Sequence, residues 1–97
     1  MAIDLDIQLT VNGDRGRYWA DLSEGDQAEM TYLRRPDGSI IITHTGVPFA
    51  FEGRGIALQL VKRAVADARQ GGFKIVPQCP YVAVQFRRHP DWDDLLA

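Results

Sequence analysis

The pattern that most constrains the fold is one apolar helical stripe between two strand-like segments. Its members recur at helical spacing, and they are Ile56, Ala57, Leu60, Val61, Ala64, Val65 and Ala68. Gly71 and Gly72 follow, and glycine readily adopts the left-handed backbone conformation that ends an α-helix. Because a strand, helix, strand unit crosses over with right-handed geometry, the two flanking strands are predicted to be parallel neighbours in one sheet.

The flanking segments support this unit. Residues 39–47 are rich in β-branched side chains and residues 73–78 form a short apolar run, so each is predicted to be a strand. Pro80 then favours the first position of a second, shorter helix, which places Cys79 at its N-cap and ends it by His89.

The first part of the chain is predicted to be an antiparallel meander. Apolar and polar residues alternate over 17–22 and over 27–32, and turn residues follow each segment at 23–26 and 36–38. Weaker alternation at Ile7, Leu9 and Val11 suggests a further short strand. Counting the clear strands, we predict an α/β (α+β) fold of order β-β-β-α-β-α, with a mixed, mostly antiparallel sheet and the long helix on one face.

Length and charge narrow the functional classes. Ninety-seven residues suit a single domain, 1–97, and a net charge of −2 with scattered basic doublets gives no footprint for nucleic-acid binding. One cysteine excludes an internal disulfide and a cysteine-based zinc site, and no metal is predicted. No apolar run is long enough for a membrane span and no secretory signal is visible, so we expect a cytoplasmic protein.

The turn before the long helix is the most informative segment for function. Gly53 and Gly55 flank Arg54 where the third predicted strand gives way to the helix. The first amides of a helix have no internal partner and lie at the positive end of its dipole, and glycine lets a bulky anion approach them. This arrangement suits a pyrophosphate, although such a glycine pair is also compatible with a simple tight turn.

Four ordered stretches resemble the GNAT N-acetyltransferases, in particular a short single-domain family of that superfamily. They are Ile-Thr-His-Thr at 42–45, Glu-Gly-Arg-Gly-Ile-Ala at 52–57, Val-Pro-Gln-Cys-Pro-Tyr-Val at 76–82 and Arg-Arg-His-Pro at 87–90. The resemblance implies a minimal GNAT fold that uses acetyl-CoA as co-substrate. It places the pyrophosphate on Glu52, Gly53, Arg54, Gly55, Ile56 and Ala57, and the pantetheine arm along Val47.

Cys79 and His44 are the candidate catalytic residues. The resemblance places the acetyl thioester beside Cys79, where a thiolate at a helix N-cap is a candidate nucleophile or polar contact. The alternative for Cys79 is a small buried core residue. His44 is predicted to share a strand face with Ile40 and Ile42, where it is a candidate general base or a structural histidine.

Two functions follow from the resemblance. The first is transfer of an acetyl group from acetyl-CoA to an amine that the sequence does not identify. The second is a GNAT-like module that binds acyl-CoA or a protein without turnover. The second is favoured by Gln85 and Phe86, because neither offers the phenol that often protonates the departing thiolate, and by the absence of early helices that hold an acceptor. A protein partner or a homodimer stays open.

Overall fold

The computed structural model describes residues 4–97, and these contain one five-stranded sheet. The strands stand in chain order and are β1 (Gln8–Asn12), β2 (Arg15–Asp21), β3 (Gln27–Arg34), β4 (Ile40–Gly46) and β5 (Ile75–Pro77). The first three pairings are antiparallel, and β4 pairs with β5 in parallel. The structure therefore confirms the mixed, mostly antiparallel sheet and the parallel strands around the long helix.

The predicted element order is one strand short, because β1 is a full member of the sheet. The order over the described residues is β-β-β-β-α-β-α. All five β1 side chains are exposed at the sheet edge. An edge strand that buries no side chain carries only a weak alternation of apolar and polar residues, which is why the sequence marks it poorly.

The two helices match their predicted bounds closely. Helix α1 spans Ile56–Gly71, and Gly72, whose φ is 70°, is its C-cap. Helix α2 spans Pro80–Arg88, with Cys79 as its N-cap. A 3₁₀ helix over Pro90–Leu95 was not predicted. No helix in residues 4–97 has the length and apolar character needed to cross a membrane.

The sheet has two distinct faces. On β2 and β3 each second side chain is buried and each side chain between them reaches solvent. The buried set packs against α1, as the hydrogen bond from the Tyr18 hydroxyl to Asp67 illustrates. We call the face that packs against α1 the inner face and the opposite face, which carries Arg17, Glu29 and Thr31, the outer face.

A β-bulge in β4 changes which side chains reach each face. Thr31 pairs with His44, but the next residue of β3, Tyr32, pairs with Ile42, so Thr43 is an extra residue in β4. One inserted residue reverses the alternation beyond it. Thr45 consequently pairs with the buried Met30, whereas His44 lies on the outer face. The prediction that His44 shares a face with Ile40 and Ile42 is wrong for this reason.

Packing of α1 on the inner face should dominate stability. Leu60 is completely buried in the core, and we expect Leu60→Ala to lower the free energy of unfolding by about 2–5 kcal/mol because it leaves a cavity. Denaturant unfolding measures the loss. Leu9→Ala is the matched control, since Leu9 is 37% exposed on β1 and should lose less than about 1 kcal/mol. Equal losses for the two variants would contradict this assignment of the core.

Candidate functional site

A cavity of about 400 Å³ opens where β4 ends and both helices begin. Its lining residues are Thr45, Val47, Phe51, Glu52, Gly53, Gly55, Ile56, Ala57 and Tyr81. Six of the seven residues predicted to hold the cofactor are among them. The seventh, Arg54, instead places its guanidinium over the ring of Phe51, 5.3 Å from the centroid. The fold thus gathers the predicted cofactor residues around one cavity.

The glycine turn leaves backbone open to this cavity. Gly53 and Gly55 have φ values of 78° and 77°, a conformation that other L-residues adopt only with strain. No protein atom outside the adjoining chain lies within 4 Å of the position that a Cβ would take at either glycine. Gly55 is also the N-cap of α1 and provides no side-chain cap. The amides of the first turn are therefore left without an intrahelical partner beside open space, as an anion site requires.

Strands β4 and β5 diverge next to the cavity. They pair only at Ile40–Ile75, Ile41–Val76 and Ile42–Pro77. The Cys79 amide then donates to the Ile42 carbonyl at 2.9 Å, after which one chain continues as β4 and the other turns into α2. The last residues of β4 therefore pair with β3 alone and border a gap in the sheet.

Cys79 lies at this gap. Its side chain is 7% exposed, and its sulfur is 3.5 Å from the hydroxyl oxygen of Thr45. Burial raises the pKa of the thiol. The Thr45 hydroxyl and the Val82 and Tyr81 amides lower it, and the net effect is a pKa below the ordinary value. The positive end of the α2 dipole favours the thiolate, although the Cys79 side chain makes no capping hydrogen bond to the helix. The sulfur is thus nearly buried, and the thiol loses its proton more readily than that of an ordinary cysteine.

His44 lies on the other side of the sheet from the cavity. Its side chain is 60% exposed, and its Nε2 atom is 3.7 Å from a carboxylate oxygen of Glu29. It is absent from the cavity lining. The structure therefore does not bring the two predicted catalytic residues together on one face, although Thr45, which contacts Cys79, directly follows His44 in β4.

Three cavity residues were not predicted from the sequence. Thr45 reaches the inner face only because of the bulge, which the sequence does not mark. Phe51 lies in a 3₁₀ helix over Phe49–Phe51. Tyr81 was within reach of sequence reasoning, because it follows Pro80 in the first turn of a helix whose start faces the glycine turn. Burial raises the pKa of the Tyr81 phenol, against a smaller opposing effect of Arg88, so this phenol is a proton donor at neutral pH.

Comparisons with known proteins agree with this geometry. The sequence profile of the GCN5-related N-acetyltransferase family matches residues 17–95. Among solved structures, the chain is similar to the solution structure of a GCN5-like candidate N-acetyltransferase from Staphylococcus aureus. The two share 26% identity and a TM-score of 0.65, over 93% of this chain and 87% of that one. No curated protein gives a significant match. The profile match and the structural likeness confirm the fold class expected from the four sequence motifs.

Proposed function

The chain belongs to the GCN5-related N-acetyltransferase family, and on that premise we propose that it is a single-domain enzyme that transfers an acetyl group from acetyl-CoA to an amine. The observation that carries this proposal is the cavity at the glycine turn, which six predicted cofactor residues line. Acetyl-CoA supplies the acetyl group as a thioester, and the chain supplies binding, orientation and proton transfer.

The donor half of the proposal assigns parts of the cavity to parts of CoA. The turn over Gly53–Gly55 and the start of α1 suit the pyrophosphate, because free amides and the helix dipole favour a doubly charged anion. Arg54 adds a cation that has no ion-pair partner among the described residues. Val47 and Phe51 provide apolar surface in the same cavity, which suits the pantetheine arm.

The chemical half of the proposal rests on the gap between β4 and β5. An amine must lose its proton and attack the thioester carbonyl, so that a carbon–nitrogen bond forms while the carbon–sulfur bond breaks and CoA leaves as a thiol. Cys79 is suited either to take the acetyl group in a first step or to contact the thioester. The Tyr81 phenol lines the same cavity and can donate the proton that CoA needs.

One observation favours a module that binds acyl-CoA without turnover. Gln85 and Phe86, the positions near which the family often has its phenol, are both buried, and Phe86 packs edge-on against Trp92. Neither can reach a thioester as a proton donor. The enzyme proposal therefore depends on Tyr81 or Cys79 in that role, and an assay of acetyl transfer separates the two functions.

Binding of CoA should depend on its phosphates and on salt. We expect CoA to bind more tightly than pantetheine, and only the affinity for CoA to fall as salt is raised, because the pyrophosphate contact is electrostatic. Calorimetric titration of both ligands measures this. Equal affinities for CoA and pantetheine would show that the pyrophosphate does not bind at the glycine turn.

Acetyl transfer to a panel of polyamines and peptides tests whether the protein is an enzyme. CoA binding without any transfer would favour the non-catalytic module.

A further inference from the structure

We propose that the outer face of the sheet binds the acceptor, and that the acceptor is a small amine that also carries an anionic group. The inference rests on the proposed acetyl transfer and extends it to the class of substrate. Four features carry it: a groove on the outer face, a cation in this groove that has no ion-pair partner among residues 4–97, the pair of His44 and Glu29 farther along the same face, and the gap in the sheet.

The groove has a volume of about 420 Å³. Its outer-face lining includes Thr10, Arg15, Arg17, Thr31, Leu33 and Thr43. The hydroxyls of Thr31 and Thr43 are 3.0 Å apart and form a hydrogen bond between β3 and β4. Hydroxyls and guanidinium groups thus interrupt a lining that is mostly apolar, which suits a small ligand with an apolar body and a few polar groups.

The charges of the groove are not balanced. Arg17 donates to Glu29 at 2.7 Å and to Gln27 at 2.8 Å, so its guanidinium is already engaged by protein. Arg15 is exposed, and the described residues provide no ion pair or hydrogen bond for its side chain. A carboxylate or phosphate on the ligand would give Arg15 the bidentate partner that guanidinium groups favour.

Beyond the groove, whose lining includes neither His44 nor Glu29, the outer face suits an amine. Thr43, which lines the groove, immediately precedes His44, whose Nε2 atom is 3.7 Å from Glu29. The other carboxylate oxygen of Glu29 accepts a hydrogen bond from Arg17. A carboxylate attracts an ammonium group, and the exposed imidazole beside it can accept a proton from that group.

Strand register gives the separation of the two ends. Arg17, Thr31 and His44 form one row across β2, β3 and β4, and Arg15 lies two residues along β2 from this row. Two strand spacings are roughly 10 Å and two residues along a strand roughly 7 Å, so the Cα atoms of Arg15 and His44 are roughly 12 Å apart. The His44 imidazole lies beside Gly46, beyond the groove lining, so the ligand would extend from Arg15 along the outer face, and an amine and an anion separated by a chain of several carbon atoms would span the interval.

The gap in the sheet connects this face to the donor. His44 and Thr45 are consecutive at the unpaired end of β4, with His44 on the outer face and Thr45 lining the inner cavity. An amine at His44 therefore lies across one strand from the cavity in which we place the thioester. Donor and acceptor would enter from opposite faces and meet at the gap.

The probe is 6-aminohexanoate, and its neutral isostere 6-aminohexanamide is the matched ligand. We expect 6-aminohexanoate to shift the backbone amide resonances of Arg15, Thr31 and Thr43 in the CoA-bound protein, and the amide to shift them only at about tenfold higher concentration or more. In Arg15→Gln this preference for the carboxylate should disappear. Arg87→Gln removes an exposed arginine outside the groove and should keep the preference.

Failure of this inference is distinct from failure of the proposed function. Equal responses to the two probes in the wild-type protein, or a carboxylate preference that survives in Arg15→Gln, would overturn the acceptor class even if CoA binds and acetyl transfer occurs. Shifts of the same amides with protein concentration alone would show that a second copy covers the face, and would also overturn it. Loss of CoA binding or transfer in the wild-type protein would instead count against the proposed function, while the probe titration still reports on the groove.

Discussion

Replacing Gly55 by glutamate should abolish CoA binding. Gly55 has a φ of 77°, caps α1 and lines the cavity. A glutamate at this position would direct a Cβ and a negative charge into the space in which we place the pyrophosphate. Its carboxylate would repel the pyrophosphate and compete with it for the free amides. We expect the dissociation constant for CoA to rise at least about 100-fold, which corresponds to roughly 2.7 kcal/mol. Calorimetric titration measures it.

The same substitution at Gly13 is the matched control. Gly13 also has a positive φ, 64°, and open space around it. It lies in the β1–β2 turn, at the opposite end of the sheet from the cavity. Gly13→Glu therefore carries a similar backbone strain and the same added charge without approaching the cofactor. If Gly55→Glu folds and binds CoA as tightly as Gly13→Glu, the pyrophosphate does not lie at this turn.

The helical half of the fold was predictable because its signals are local. The apolar stripe of α1 reflects burial on one side of a helix, and Gly72 supplies the left-handed cap that ends it. Pro80 marks the start of α2 through its own geometry. Parallel pairing of β4 and β5 then follows from the crossover through α1. Local periodicity and the crossover were enough to place the glycine turn between β4 and α1.

The bulge in β4 was not predictable in this way. Strict alternation along the strand puts His44 with Ile40 and Ile42, and only the pairing of Thr31 and Tyr32 with β4 shows that Thr43 is inserted. This is a contact between strands, and β-branched sequence alone does not report it. The consequence is functional, because the insertion moves His44 to the outer face and brings Thr45 to the sulfur of Cys79.

The cavity also depends on packing that no single segment encodes. Tyr81 and Ile56 line it together, although they lie in the first turns of different helices. The pKa of the Cys79 thiol likewise depends on burial, on Thr45 and on the first turn of α2 acting together. The sequence predicted a helix N-cap for this residue, but the contact with Thr45 required the folded chain.

Replacing Cys79 by alanine should leave CoA binding largely intact and lower acetyl transfer by about 100-fold or more, the range expected for a group that moves a proton or an acyl group. Its sulfur contacts Thr45, which lines the cavity, but is not itself part of the lining. Cys79→Ser separates the two roles. Serine can keep a polar contact to the thioester, whereas a covalent acetyl-cysteine step requires the thiolate. A residual rate in serine well above that in alanine would therefore favour the polar contact.

Alkylation by iodoacetamide reports on the same thiol without turnover. The pKa of Cys79 is lowered, so the thiolate fraction at neutral pH is higher than in an ordinary cysteine, and labelling should persist to lower pH. Thr45→Val removes the hydroxyl contact, which should raise the thiol pKa and slow labelling at pH 7 while keeping the side-chain volume. Saturating CoA should protect the wild-type thiol, because CoA in the cavity would cover Thr45, whose hydroxyl contacts the sulfur. Slow labelling that neither CoA nor Thr45→Val changes would make Cys79 a core residue, and Tyr81 would then be left as the proton donor for the departing CoA.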